Sequence, residues 1–257
     1  MFYFERRKLI ESLTATLKGM LEMHGSLKGW LEEFGVSITE DQFSKLSKYL
    51  QLLKAKNEEM NLTRITDNRE AWIKHILDSL MAAPFFAKPG MKVADIGTGG
   101  GIPGIPLAIL FPSAQFTLVD ATEKKVMAIQ GFAEQLNLRN VHCVCARLEN
   151  FGHTEGHRGD YDLVLARALA PLRTLLEYSI PLIHPYGYVV AYKGPEYLQE
   201  LALSKNAVDK LQCESGQVFH YSLPEGMGER TLLRFTKKTV TKDVYPRRDG
   251  VPANKPL

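Results

Sequence analysis

The sequence predicts an α/β protein with a Rossmann-like, doubly wound sheet of seven mostly parallel strands, preceded by a helical region. Beyond Pro89-Gly90, strand patterns alternate with helical patterns, as in parallel sheets covered on both faces. The run from Val93 to Gly104, VADIGTGGGIPG, leads from an apolar strand through glycines into a helix start. A short turn at residues 224–228 separates the last two strand patterns, so an antiparallel hairpin is expected to close the sheet.

The first ninety residues are predicted to be helical. Thr39 and Gln42 form the pattern of a capping box, so a helix is expected to begin there. Another helix is expected over residues 71–80. An earlier helical periodicity is expected to be interrupted by Gly25 and Gly29. The residues of that periodicity are Leu9, Leu13, Leu17, Met20 and Leu21.

The remaining elements are predicted from residue 91 onwards. Strands are expected near residues 92–96, 115–119, 141–145, 161–166, 186–192, 213–221 and 230–236. Helices are expected near residues 104–111, 123–136, 171–182 and 195–210. The chain is therefore predicted to comprise an N-terminal helical region packed on the core (residues 1–90), a Rossmann-like core (91–237) and a basic C-terminal tail (238–257).

The composition is that of an ordinary globular protein. Of the 257 residues 45% are apolar, and the formal charge of +3 is too small for a general nucleic-acid coat. No apolar run reaches the ~18 residues of a membrane span, and no signal-peptide pattern is present. A cytoplasmic protein without membrane contact is expected. The three cysteines include no CxxC motif, and their odd number argues against a disulfide framework.

The glycine-rich run predicts a site for a nucleotide cofactor. Gly99, Gly101 and Gly104 match the GxGxxG pattern of dinucleotide-binding proteins, and Asp120 follows about twenty residues later. Glycines let the backbone turn sharply and approach a ligand closely. This pattern alone does not separate a nicotinamide dinucleotide from S-adenosylmethionine.

Asp95 favours S-adenosylmethionine. A carboxylate directly before the glycines would repel a pyrophosphate, but it would attract the α-ammonium group of a methionine-derived cofactor. Asp120, at the end of the second strand, can accept hydrogen bonds from the ribose hydroxyls of either cofactor. Two alternatives stay open: Asp95 caps a turn, and Asp120 caps the helix that begins near Glu123.

Two further segments are predicted to border the cofactor. Leu148 and Glu149 follow the third strand, where an adenine would lie, and Arg167 follows the fourth strand at the same edge of the sheet. A buried guanidinium needs a partner. Arg167 is therefore expected to pair with Glu149 or with a bound ligand, and a purely structural ion pair is the alternative.

Several short motifs occur together between about residue 40 and the C-terminus. They are Asn61-Leu62-Thr63, His75 to Leu80, Asp95 to Pro106, Arg167-Ala168, Val190 to Gly194, Glu229-Arg230 and Tyr245 to Arg248. With these motifs the chain resembles the RsmG (GidB) family of bacterial methyltransferases, which act on small-subunit ribosomal RNA. The resemblance implies the fold of class I S-adenosylmethionine-dependent methyltransferases.

The resemblance also implies a reaction, methylation of guanine N7 in the decoding region of 16S rRNA by S-adenosylmethionine, with S-adenosylhomocysteine as product and no metal. The expected substrate is 16S rRNA within the 30S subunit or a precursor, and a monomer is expected. Gly100, Ile102 and Ala166 are mild departures from the family pattern. The implied cofactor contacts are Gly97, Ile102, Leu148, Glu149 and Arg167, to which the chemistry of the glycine run adds Asp95, Gly99, Gly101 and Asp120.

No catalytic residue is predicted for this reaction. Guanine N7 carries an in-plane lone pair and no proton, so its attack on a sulfonium methyl needs alignment rather than a general base. Asn61, His75 and Lys193 are predicted to hold the target base near the open end of the sheet. The alternatives are a structural histidine, an asparagine that only turns the chain, and a solvated lysine.

The C-terminal tail is predicted to contact RNA. Six basic and two acidic residues occur between Lys237 and Leu257. Together with Tyr245, Arg247 and Arg248 are expected to contact phosphates and to become ordered on binding. A solvated, flexible tail is the alternative. Truncation after Lys237 is expected to weaken RNA binding while it spares the affinity for S-adenosylmethionine.

Two other classes of function remain open at this point. An S-adenosylmethionine-dependent methyltransferase of a small molecule or protein would share the fold. That class leaves unexplained the basic tail and the helical region that carries Asn61 and His75. A non-enzymatic module that binds NAD is opposed by Asp95, because its carboxylate precedes the glycines.

Overall fold

The structure is a computed structural model that describes Gly19 and residues 22–257. Helix α1 covers residues 22–32 and buries Met23, Leu27 and Leu31 along one face. Gly25 and Gly29 lie on its exposed face and do not interrupt it, so that expectation is wrong. A glycine costs a helix only about 1 kcal/mol, which the burial of three large side chains exceeds. The periodicity from Leu9 to Leu21 lies outside the described residues.

Two further helices complete the N-terminal region. Helix α2, Glu40–Met60, begins with the predicted capping box, because Gln42 N donates to Thr39 Oγ1 and Thr39 N donates to Gln42 Oε1. Helix α3 consists of the consecutive stretches Asn68–Ala71, Trp72–Leu77 and Asp78–Leu80, of which the second is π-helical.

The described residues form a seven-stranded sheet in the order β3-β2-β1-β4-β5-β7-β6. Strands β1 to β5 are parallel, and β7 pairs antiparallel with both β5 and β6. The predicted α/β fold class, a Rossmann-like sheet closed by a C-terminal hairpin, is thereby confirmed. The strands are β1 Lys92–Ile96, β2 Gln115–Asp120, β3 Val141–Cys145, β4 Tyr161–Arg167, β5 Ile183–Lys193, β6 Cys213–Ser222 and β7 Glu229–Lys237.

Helices connect the strands, and two of the predicted helices differ from expectation, while the short helices at Leu148–Phe151 and Val251–Asn254 were not predicted. The helix expected at 195–210 is divided at Ser204, whose hydroxyl donates to the carbonyl oxygen of Glu200. The helix expected at 171–182 ends at Ser179 and continues as a 3-10 turn that contains Pro181, which has no N–H to donate. The helices are α4 Gly104–Leu110, α5 Glu123–Gln135, α6 Leu148–Phe151, α7 Leu172–Ser179, α8 Tyr197–Leu203, α9 Lys205–Leu211 and α10 Val251–Asn254.

The core lies on both faces of the sheet. Within β4, Leu163 and Leu165 pack against the N-terminal helices, α4 and α5, whereas Val164 and Ala166 pack on the opposite face with α7 and α9. The carboxyl ends of β1, β2 and β4 meet at one edge of the sheet, where ligands of such folds bind. Among the described helices, none is long and apolar enough to cross a membrane.

The C-terminal segment is packed on the core. The guanidinium of Arg158 donates to the carbonyl oxygens of Thr241 and Tyr245, and Leu257 is buried. The alternative of a solvated, flexible tail is therefore wrong. The proposed divisions at residues 90 and 237 stay predictions.

Candidate active site

The turn between β1 and α4 requires its glycines. Gly97, Gly99 and Gly101 have φ angles of 67°, 60° and 92°, a region that other residues rarely adopt. A Cβ atom on Gly97 would lie 2.5 Å from the side chain of Leu169, and one on Gly101 would lie 2.7 Å from that of Ile105. A ligand can therefore approach the backbone of this turn closely only while these positions remain glycine.

Asp95 holds this turn from inside the protein. It is fully buried, and its Oδ2 accepts hydrogen bonds from Thr98 Oγ1 at 2.6 Å and from Gly104 N at 2.9 Å. Among the described residues Oδ1 has no partner, and burial raises the pKa of the carboxyl group to about 7. The contact with Gly104 N is the turn-capping role that was left open. An additional contact with a ligand ammonium stays a prediction.

A cleft of about 940 Å³ opens at the carboxyl ends of β2 and β3. Asp120 lies on its wall, where Oδ2 accepts from Gly99 N at 3.1 Å and Oδ1 accepts from Thr122 N at 2.9 Å. The cleft gathers four of the predicted cofactor residues, namely Gly97, Asp120, Leu148 and Glu149. Among the described residues that line it, the other five predicted contacts do not appear: Asp95, Gly99, Gly101, Ile102 and Arg167.

Arg167 pairs with Asp78, so the expected pairing with Glu149 is wrong, whereas a contact with a bound ligand stays a prediction. Its Nη2 lies 3.1 Å from Asp78 Oδ2 and donates to the carbonyl oxygen of Lys74 at 2.7 Å. Glu149 is occupied elsewhere, because its Oε1 accepts from Tyr178 Oη at 3.1 Å. Within the described part of the chain, Nη1 of Arg167 is buried without a partner.

Asp78 is a site residue that the sequence reasoning missed. It is 1% exposed, and besides Arg167 it accepts a hydrogen bond from Tyr221 Oη at 2.5 Å, with Arg230 Nε 3.9 Å away. A carboxylate between apolar residues of one helix was the available signal, because such a group is buried only when it has cationic or hydrogen-bonding partners.

His75 lies beside this cluster on α3. Its Nε2 lies 2.8 Å from Thr63 Oγ1, and Nδ1 is buried with no partner among the described residues. Burial, reinforced by the positive charge of Arg167, lowers the pKa of the imidazole to about 4. The side chain is therefore neutral at neutral pH. The Thr63 contact accounts for a structural role, and contact with a target base stays a prediction.

Asn61 lies at a second opening, a groove of about 710 Å³ that shares no lining residue with the cleft. The side chains of Asn57, Asn61 and Arg64 are part of its lining. Leu62, which also lines it, is 3.7 Å from the position of a Cβ on Gly100. Asn61 has a φ of 48° and is the C-cap of α2. The residue therefore turns the chain, and it is also part of the groove lining.

A protein-family model with the description "rRNA small subunit methyltransferase G" (GidB) matches residues 42–231. The chain belongs to this family. The resemblance stated from the motifs is thus confirmed, and so is the enzyme class, a methyltransferase. The matched range includes both the groove and the glycine turn, and it ends before the C-terminal segment.

Curated relatives of this GidB-family chain carry the name Ribosomal RNA small subunit methyltransferase G. The relative from Carboxydothermus hydrogenoformans is 37% identical over 235 residues, which cover 91% of this chain and 100% of the relative. The relative from Brevibacillus brevis is 39% identical over 224 residues, 87% of this chain and 94% of the relative. Among solved structures, the [4+2]-cyclase SpnF is similar in fold, with a TM-score of 0.50, 14% identity, and coverage of 63% of this chain and 80% of that one.

Three predicted RNA contacts of the GidB-family chain have distinct surroundings. Lys193 is 9% exposed, and its Nζ donates to Glu200 Oε2 at 2.7 Å and to the Ala170 carbonyl at 3.0 Å. It is therefore not the solvated lysine of the alternative. Arg247 forms an ion pair with the fully buried Glu177 at 2.6 Å, whereas Arg248 is exposed. Their contacts with RNA stay predictions.

Proposed function

We propose that this protein transfers a methyl group from S-adenosylmethionine to N7 of a guanine in the decoding region of 16S rRNA. The observation that carries this proposal is that the glycine turn adjoins two openings. Gly97 lines the cleft, and Gly100 adjoins Leu62 of the polar groove. A cofactor in the cleft and a base at the groove would meet across this turn.

The residues of the cleft fit S-adenosylmethionine. The Asp120 carboxylate is placed at the strand end where ribose hydroxyls are bound in this fold, and Gly97 leaves space that a Cβ would fill. Asp95 is not among the residues that line the cleft, but its Oδ1 has no partner among the described residues and is an acceptor suited to a positively charged group. When bound, the cofactor supplies a methyl group activated by the sulfonium.

The chain's own task in this reaction is positioning. Guanine N7 is already a nucleophile, so the proposal includes no general base and no metal. His75 is neutral at neutral pH because burial lowers its pKa to about 4, and its Nε2 lies 2.8 Å from Oγ1 of Thr63, a residue of the groove lining. We propose that Asn61 and His75 orient the purine edge, whereas Lys193 would first have to leave Glu200.

The proposed substrate is 16S rRNA in the 30S subunit or a precursor, and the proposed enzyme is a cytoplasmic monomer. The family assignment supports the RNA substrate, since the curated relatives are named for the small-subunit rRNA. A small-molecule or protein substrate is the alternative outcome of the test below.

The test is methylation in vitro with 30S subunits and, separately, with protein-free 16S rRNA. Borohydride and aniline treatment followed by primer extension is expected to give one new stop, at a guanine of the decoding region. Asp120→Asn, which weakens the proposed ribose contact, is expected to lower the yield at limiting cofactor. Methyl transfer to another base position, or to no RNA at all, would contradict the proposal.

A further inference from the structure

We propose that the C-terminal segment, residues 245–256, is a wall of the cofactor cleft and that Arg247 is the positioning residue that holds it there. This inference rests on the proposed cofactor site. It assigns the segment to cofactor binding, where the sequence alone pointed to RNA.

The segment shares the cleft with the residues that follow β2 and β3. Asp249, Gly250, Ala253 and Asn254 line the same cavity as Asp120. Ala253 and Asn254 belong to the short helix α10, and Asp249 and Gly250 directly precede it. A ligand at Asp120 would therefore contact or closely approach the segment.

Arg247 anchors the segment through a buried carboxylate. Its Nε lies 2.7 Å from Glu177 Oε1 and its Nη2 lies 2.6 Å from Oε2, while its backbone N donates to Oε1 at 2.9 Å. Glu177 is 0% exposed on α7. A bidentate guanidinium–carboxylate contact of this kind is strong and directional. The buried carboxylate of Glu177 thereby balances the positive charge of Arg247.

Neighbouring contacts fix the rest of the segment. Thr174 Oγ1 donates to the carbonyl oxygen of Pro252 at 3.1 Å, and His153 Nε2 lies 2.7 Å from that of Pro246. A Cβ on Gly152 would lie 2.5 Å from the ring of Pro246, so the absence of a side chain there lets the proline dock. The segment is therefore seated at several points and not only at Arg247.

One hydrogen bond joins the segment directly to the cofactor side of the cleft. Gly250 N donates to Glu149 Oε1 at 3.1 Å, and the same oxygen accepts from Tyr178 Oη. Glu149 is 7% exposed and follows Leu148, at the strand end where the adenine is expected. Displacement of the segment would leave this buried carboxylate short of a donor and change the shape of the adenine side.

This arrangement leads to a different expectation about truncation from the one drawn from the sequence. Removal of the residues after Lys237 would take away one wall of the cleft and the partner of Glu177. The affinity for S-adenosylmethionine is therefore expected to fall, whatever happens to RNA binding.

The test is calorimetric titration of the full-length protein with S-adenosylhomocysteine. Arg247→Met is expected to weaken binding by about tenfold or more, whereas the matched control Arg248→Met, which removes an exposed neighbouring charge, is expected to leave the Kd within about twofold. Equal Kd values for the wild type and Arg247→Met would overturn the proposal.

A second pair of variants does not disturb the buried ion pair. Ala253→Trp places a bulky side chain on the exposed wall of the cleft and is expected to weaken binding, whereas Lys255→Trp, on the same turn but outside the cleft lining, is not. If Arg247→Met fails to fold, this pair decides. Unchanged binding by Ala253→Trp would then overturn the proposal.

Hydrogen exchange gives a readout that does not depend on activity. S-adenosylhomocysteine is expected to slow exchange of the amides in residues 245–256, including Gly250 N–H. If the wild type does not bind S-adenosylhomocysteine, the proposed function itself fails. If the wild type binds but the segment's exchange and the variants' affinities are unchanged, only the assignment of the segment fails.

Discussion

Tyr49 donates a hydrogen bond from its hydroxyl to the carbonyl oxygen of Gly100 across 2.8 Å, in the buried interior. This contact joins helix α2 of the N-terminal region to the glycine turn. A Cβ on Gly100 would lie 2.9 Å from Leu53 Cδ1, so helix α2 packs directly on the backbone of the turn. The helical region is thus part of the support of the site.

Tyr49→Phe is expected to weaken this support. The substitution keeps the ring but leaves the Gly100 carbonyl without its donor, which typically costs about 1–3 kcal/mol for a buried group. Urea denaturation measures the free energy of unfolding, and titration with S-adenosylhomocysteine is expected to show a weaker Kd. Tyr186→Phe is the control, since Tyr186 is 76% exposed and is expected to change neither quantity. If Tyr49→Phe and Tyr186→Phe have the same free energy of unfolding and the same Kd, Tyr49 does not hold the turn.

Asp78→Asn is expected to release Arg167. Removal of one charge leaves the guanidinium without its anionic partner, and such losses at buried pairs cost about 3–5 kcal/mol. Both the free energy of unfolding and the affinity for S-adenosylhomocysteine are expected to fall. Glu59→Gln, which breaks the exposed pair with Lys56, is expected to change stability by less than about 1 kcal/mol. A stable Asp78→Asn protein with normal affinity would show that Arg167 needs no carboxylate.

The stability difference between the wild type and Asp95→Asn is expected to depend on pH. Burial raises the pKa of Asp95 from 3.8 to about 7, so its contribution to stability is full below about pH 4 and is lost as the pH rises through about 7. Asparagine does not titrate. The free energy of unfolding of Asp95→Asn, relative to that of the wild type, should therefore rise by up to about 4 kcal/mol between about pH 4 and about pH 7.

Urea denaturation of both proteins at about pH 4.5 and about pH 7.5 measures this difference. The lowered pKa of His75, about 4, acts in the opposite direction over the same range, but it is common to both proteins and cancels in the comparison. If the difference in free energy of unfolding between the two proteins is the same at both pH values, Asp95 is ionised over the whole range.

Asn61→Gly is expected to separate folding from RNA recognition. Asn61 has a φ of 48°, which glycine adopts without strain, so the stability should be kept or slightly raised. The loss of the amide at the groove is expected to raise the KM for 30S subunits while leaving the Kd for S-adenosylhomocysteine unchanged. Asn137→Gly is the matched control, because Asn137 has a φ of 55° and does not line the groove. The same KM for both variants would remove Asn61 from the proposed interface.

The alternation of strand patterns with helix patterns along the chain was sufficient to predict the sheet. Parallel strands such as β4 are buried on both faces and appear as short apolar runs, and each run is followed by a helical pattern. Less was predictable within the helices. Ser204 divides one of them through a local hydrogen bond, and Gly25 and Gly29 are accommodated in α1 because its other face is buried.

The glycine turn and the carboxylates beside it were identifiable from sequence because their requirements are local. Positive φ angles at Gly97 and Gly101 depend on the residues themselves, and Asp120 follows from the end of its own strand. The pairing of Arg167 was not accessible in this way. Its partner Asp78 comes from another element, and only the packing of α3 against β4 brings the two together.

The sequence by itself determined the order of the strands along the chain, the glycine turn and the family. Only the tertiary structure decided that Arg247 faces inward to Glu177 and that Gly250 reaches Glu149. The physical reason is that periodicity and backbone preferences act between near neighbours, whereas the partner of a charged group is whichever distant segment folding brings beside it. A run of basic residues therefore looks the same in sequence whether its charges face RNA or a buried carboxylate.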